Sequence, residues 1–182
     1  AFRDREMIIN MLNELSGARL TFNYMRVGGV KWDAPEGWVD GVREFVPYLR
    51  EQLKGYHDLV SGNEIFLDRV KGVGVYSKEE AINYSLSGPN LRSTGVKWDL
   101  RKDEPYSIYD RFDFNIVTRE EGDCLARYHV RLEEIEESLK ILEQACEQFP
   151  AEGEIMAKVP KIIKAPKGEA FVRIESPRGE IG

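Results

Sequence analysis

Arg19 and Arg26 bracket an apolar and aromatic run of Leu20, Phe22, Tyr24 and Val27, and the pair Gly28-Gly29 follows directly. Two permanent guanidinium charges beside such side chains must be paired with something. Gly28 and Gly29 clear side chains from a place where a backbone or a cofactor can approach. The plainer reading is a glycine-rich turn that lets two helices pack closely.

The thiols and imidazoles support no second chemistry. Cys124 and Cys146 are the only cysteines, and His57 and His129 the only histidines. Both cysteines fall in one helical segment, so the 22 residues between them span roughly 33 Å. A disulfide needs Cα atoms within about 7 Å. The pair therefore fits a reducing compartment, and no tetrathiolate metal site can be assembled. His57 falls in the last turn of a helix, where a cation complements the dipole. His129 sits beside an apolar stripe, and no Glu–His acid–base pair is evident.

The elements that position these residues read mostly as helices. Phe2 to about Arg19 places Met7, Ile8, Met11, Leu12 and Leu15 on one face, and Ser16-Gly17 ends or bends it. Trp38–Val60 repeats at three-and-four spacing, with Pro47 predicting a kink or a restart. Asn63–Val70 is a short helix, and Ser77-Lys78-Glu79-Glu80 is a capping box that opens another at Ala81. Gly122–Phe149 is the clearest element. Leu125, Tyr128, Leu132, Ile135, Leu139, Leu142 and Cys146 form a coiled-coil-like stripe, predicted to pack on the helix from Trp38. Its acids, Glu133, Glu134, Glu136, Glu137 and Glu143, read as a solvated face.

Between helices, Leu86–Lys102 carries Leu91, Val96, Trp98 and Leu100 among turn residues, so this irregular segment must be buried. Tyr106–Val117 alternates weakly around Phe112, Phe114 and Ile116 and reads as extended. Past Pro150, Pro160, Pro166 and Pro177 break any helix, and Ala170–Ile174 reads as a short strand. The predicted fold class is mainly α, a bundle of long helices with a small β element near the C-terminus. Residues 1–150 form the helical body, and 151–182 a proline-broken extended segment.

Composition bounds the rest. A chain of 182 residues, 42% apolar and 32% charged, can bury one sizeable core. No apolar run approaches the roughly 18 residues of a membrane span. A net charge of −6 without an aromatic-interleaved basic patch argues against nucleic-acid binding. Lys158–Arg178 is locally basic and reads as a solvated tail. Neither Ala1, inside a helix start, nor Gly182, after a strand-like stretch, looks like a natural terminus, so a fragment is expected.

Taken together, the helix start at Arg3–Glu6, Ser16–Arg19, Arg26 with Gly28-Gly29-Val30, the Leu91–Lys102 loop, Gly122-Asp123-Cys124 and Glu175–Glu180 carry a resemblance. The chain resembles the 49-kilodalton subunit of mitochondrial respiratory complex I, called the D subunit in bacteria, in order and over essentially its whole length. That family shares ancestry with the large subunit of nickel–iron hydrogenases. The hydrogenase metal is held by two Cys-x-x-Cys pairs, which this chain lacks.

The resemblance implies an enzyme subunit of an NADH:quinone oxidoreductase that couples quinone reduction to ion pumping. It implies no cofactor in this chain, a quinone bound with the neighbouring B subunit, and a 4Fe-4S cluster held by that neighbour. Partners would be the B and C subunits and other peripheral-arm and membrane-arm subunits, on the cytoplasmic side of the membrane. Arg19, Thr21, Arg26, Gly28 and Gly29 would lie near the cluster and quinone, as would the turn Pro177, Arg178 and Gly179. No catalytic residue is assigned, because the family's headgroup-binding histidine and tyrosine, and an aspartate partner, would precede Ala1. Thr21 stands where many relatives carry a histidine tied to the proton-coupled potential of the cluster. The segment Ile155–Ala165 is shorter than the insertion usual in the family. Two other readings are a hydrogenase-type large-subunit fragment and, for the isolated chain, an inert helical scaffold.

Overall fold

The computed structural model describes residues 2–160, 162 and 164–182. Ala1, and Lys161 of the basic tail, lie outside the described residues. The chain forms two compact units: residues 1–49 with 145–169, and residues 50–144 with 170–182.

In the first unit, α1 (Phe2–Ser16) buries Ile9 and Asp4, the latter accepting a 2.7 Å hydrogen bond from the Tyr48 hydroxyl. It stops at Ser16, whose hydroxyl turns back on the Leu12 carbonyl at 2.6 Å. The expected loop through Gly28-Gly29 is instead a small hairpin, β1 (Met25–Arg26) with β2 (Gly29–Val30), paired Met25↔Val30 and Arg26↔Gly29. Helix α2 (Trp38–Tyr56) starts in this unit and buries Val42, Phe45, Val46 and Leu49 at helical spacing. It does not restart at Pro47. Pro47 and Arg43, four residues earlier, are both exposed, so water can reach the carbonyl that the proline ring leaves unbonded. The helix ends at Tyr56 and opens into a wide π turn, His57–Ser61.

The second unit holds α3 (Glu64–Val70), capped by Asn63, and α4 (Lys78–Asn83), opened by the expected capping box of Ser77 and Glu80. The buried 86–102 segment is less irregular than its composition suggested. It contains α5 (Gly88–Arg92) and α6 (Leu100–Asp103), with Leu91, Ser93, Thr94 and Leu100 buried. Residues 112–117 run extended with Phe112 and Phe114 buried, yet form no strand. The reason is visible in the bonding: the N–H groups of Asp113 and Asn115 donate to the Gln144 and Glu137 side chains, each at 2.7 Å. A helix has taken the place of a sheet partner.

That helix is α7 (Cys124–Glu147). Arg50 of α2 binds its Glu136 at 2.7 Å and its Glu143 at 2.9 Å, and in the first unit Arg43 donates to the Cys146 carbonyl at 2.8 Å. Within the second unit, then, Arg50 near the end of α2 is joined to α7 by two ion pairs. The stripe and the acidic face need correction. Leu142 is 37% exposed, and the deepest α7 residues are Ala126, Val130, Leu139 and Cys146. An α-helix drifts from a strict heptad repeat, and here chain covers several of its sides. Glu133 is engaged by Arg119, Glu134 by Arg92, and Glu137 by Lys140 and the Asn115 N–H, so these acids are not merely solvated.

Leu139, at 1% exposure, should lose about 2–5 kcal/mol on truncation to alanine. Leu142→Ala should cost well under that. Urea denaturation of both variants checks the assignment, and equal losses would place the helix face wrongly.

Residues 170–173 do not form the expected strand. The hairpin is β3 (Ile174–Ser176) with β4 (Gly179–Ile181), and its register around Pro177-Arg178 reaches only to Ile174↔Ile181. Among the described residues, no strand pairs with the earlier ones. No helix is long and apolar enough to cross a membrane among the described residues.

Candidate functional site

The Arg19–Val30 segment lies in the first unit and is built on a backbone clamp. Gly28 accepts from the Ala157 N–H at 2.9 Å, and Val30 donates to the Ile155 carbonyl at 3.0 Å. Gly29 bridges Met156 so closely that an added Cβ would stand 2.1 Å from the Ile155 oxygen. The approach that the glycine pair was expected to allow is thus made by this chain's own residues 155–157.

Arg19 pairs with Glu6 and donates to the Asn10 amide at 2.8 Å, both on α1. Arg26 bonds only to the Asn23 side-chain amide, with no carboxylate partner among the described residues. Around it Leu20, Met25 and Val27 are exposed at 80%, 83% and 67%, and Thr21 is exposed as well. Leu12, Leu15, Phe22, Tyr24 and Met25 also line an almost wholly apolar cavity of about 470 Å³. An unneutralised cation on a protruding apolar hairpin is a surface suited to covering by another molecule.

Pro177, Arg178 and Gly179 belong to the second unit, where they form the β3–β4 turn. Gly179 packs against α5, and the Glu180 N–H donates to the Ser87 hydroxyl at 2.9 Å. Arg178 is exposed.

Behind that turn lies a feature the sequence reading passed over. Arg92, 2% exposed, donates to Glu134 at 2.7 Å, to Glu175 at 2.9 Å and to the Trp98 carbonyl at 2.9 Å. Asp99, equally buried, chelates Arg101 through both carboxylate oxygens, at 2.9 and 2.6 Å. Burial works against the Asp99 charge, but the Arg101 fork overcomes it and holds the carboxyl below its ordinary range. For Glu134 burial wins over Arg92, and the carboxyl is pushed up. A signal existed: Arg92 directly follows Leu91 in a segment whose Leu91, Val96, Trp98 and Leu100 already called for burial.

Cys124 and Cys146 are both free. His57 meets the Ser61 hydroxyl at 3.1 Å, and burial together with Arg119 lowers the pKa of His129. No group of three or more His, Cys, Asp or Glu is placed to hold a metal ion among the described residues.

Mainly helical with two small hairpins among the described residues, the fold belongs to the mainly α class. Comparison narrows this class to one family. Residues 1–167 match the respiratory-chain NADH dehydrogenase 49 kDa subunit family. The whole chain is 78% identical to the NADH-quinone oxidoreductase D subunit of Geobacillus thermodenitrificans and 80% identical to that of Bacillus anthracis. It spans about half the length of these curated relatives, 50% in each case. The chain belongs to the 49 kDa subunit family of the respiratory NADH dehydrogenases.

Proposed function

We propose that this chain is part of the quinone-reducing subunit of an ion-translocating NADH:quinone oxidoreductase, carrying no cofactor itself and inactive when isolated. Its partners are the B subunit with its 4Fe-4S cluster, the C subunit and other subunits of the two arms. The assembly is peripheral, on the cytoplasmic side of the membrane. Identity of 78–80% over all 182 residues to D subunits named for NADH-quinone oxidoreductase carries the reading. Within it, the Arg19–Gly29 hairpin faces the cluster and the quinone cavity, and the Pro177–Gly179 turn lies in the same vicinity. The exposed Arg26 and its apolar surroundings support the hairpin's role, since they offer a charge and a surface that this chain leaves uncovered.

Arg26→Ala should therefore impair quinone reduction in the assembled complex while leaving the stability of the chain nearly unchanged. Full activity in membranes carrying the variant would remove the hairpin from the site. Thr21 adds a second expectation. A threonine hydroxyl has no proton equilibrium near neutral pH, so it cannot couple protonation to reduction of a nearby cluster. The cluster potential should be nearly flat across about pH 6 to 8 in the wild type, the range where a histidine titrates. Thr21→His should introduce a slope. A flat titration in both would place Thr21 away from the cluster.

A further inference from the structure

A cavity of about 610 Å³ opens beside the buried cluster of the second unit, between α7 and the β3–β4 turn. Its volume lies in the range of small-molecule sites, about 300–1,000 Å³. We infer that it binds a small oxyanion, a carboxylate or phosphate head on a compact body, held between Arg131 and Arg178.

The charges on its wall fall into two sets. The inner ones are already engaged: Arg92 by Glu134 and Glu175, and Arg101 by Asp99. The outer pair is not. Arg131 donates to the Arg127 carbonyl at 3.0 Å and reaches the Asn90 amide only at 3.5 Å. The Arg178 guanidinium has no carboxylate partner among the described residues, although acids outnumber bases 32 to 26 in this chain. A guanidinium carries five donors in a fixed fork that matches carboxylate and phosphate oxygens, so most of the donor capacity of both arginines is unspent.

Both are presented by firm supports. Arg131 rides mid-way along α7. Arg178 sits on a two-residue turn pinned by the bond from Glu180 to Ser87. Arg92 offsets one of the two charges of Glu134 and Glu175, and the four arginines of the cavity wall outnumber its two carboxylates. Burial also pushes the Glu134 carboxyl toward its neutral form. Ile135 and Pro177 supply apolar wall for the body of the ligand.

Isothermal titration of the chain with inorganic phosphate and with glutarate tests the site, using Arg131→Gln, Arg178→Gln and, as a surface control, Arg69→Gln. The wild type and the Arg69 variant should bind at least one probe with one-to-one stoichiometry. Each of the other two variants should bind it about tenfold or more weakly, the loss expected for a charged hydrogen bond, with an unchanged melting temperature. The stronger probe identifies the head group. Failure of both probes to bind, a loss confined to one of the two arginines, or an equal loss in the Arg69 variant would overturn the assignment. None of these outcomes bears on membership in the 49 kDa subunit family.

Discussion

Arg92→Met should cost the chain about 3–5 kcal/mol, the penalty for removing one partner from a buried ionic cluster. The methionine fills much of the volume, so packing loss is a minor part of that figure. The main cost is that Glu175, 5% exposed, and Glu134, 18% exposed, lose the cation that made their burial tolerable. The cost should depend on pH in a definite direction. Without Arg92, burial favours the neutral form of both carboxyls in the folded state more than in the unfolded one, so protonation favours the variant's native state. The gap between variant and wild type should therefore narrow as pH falls from 7 toward 5, and widen again on return. Urea denaturation at both pH values measures this, and adding Glu175→Gln to the variant should recover part of the loss. A penalty below about 1 kcal/mol, the value typical of solvent-screened pairs, would show that water reaches the cluster.

Gly88→Ala should be nearly as damaging, for a steric reason. Gly88 opens α5 at φ +63°, a left-handed conformation that costs an L side chain about 1–2 kcal/mol. An alanine Cβ there would also stand 2.4 Å from the Gly179 Cα, and neither atom belongs to a side chain that can swing away. Overpacking adds about 1–3 kcal/mol, for a total of about 3 kcal/mol. The comparison variant is Gly41→Ala, where an added Cβ meets nothing within 4 Å. There, higher helix propensity should stabilise the chain slightly, by under about 1 kcal/mol. Thermal unfolding of the two separates the close approach from any general intolerance of substituted glycine.

The helices were legible because their signals are local. Spacing of three and four marked α1, α2 and α7, and the Ser77–Glu80 box marked α4, which starts at Lys78 rather than at the expected Ala81 because the capping-box residues are themselves its first turn. The hairpins were harder to read, since two- and three-residue strands carry too few positions for an alternation to show. Their pairing depends on where a turn falls, at Val27-Gly28 and at Pro177-Arg178. The acidic face of α7 was misread for a related reason. Charge at helical spacing looks the same whether water or Arg50, Arg92 and Arg119 stands opposite. Those arginines lie 14 to 93 residues away in sequence. For the Arg19–Gly29 segment, composition left a close-packing turn and a site equally open, and the resemblance favoured the site. What composition could not tell was that residues 155–157 would fill the approach beside its glycines.

The bond between Arg92 and Glu175 joins residues 83 positions apart, and this separation sets an order of events during synthesis. A ribosome adding about 5–20 residues per second needs roughly 4–17 s to deliver the glutamate after the arginine has been made. Throughout that interval the Leu91–Leu100 segment cannot be buried without burying an arginine that lacks one of its two carboxylates. Glu134 arrives sooner and can neutralise Arg92 alone, but the hairpin that brings the second acceptor, Glu175, is among the last residues of this stretch to emerge. The second unit therefore closes late, when its newest segment, the β3–β4 hairpin, reaches a guanidinium made 83 residues earlier.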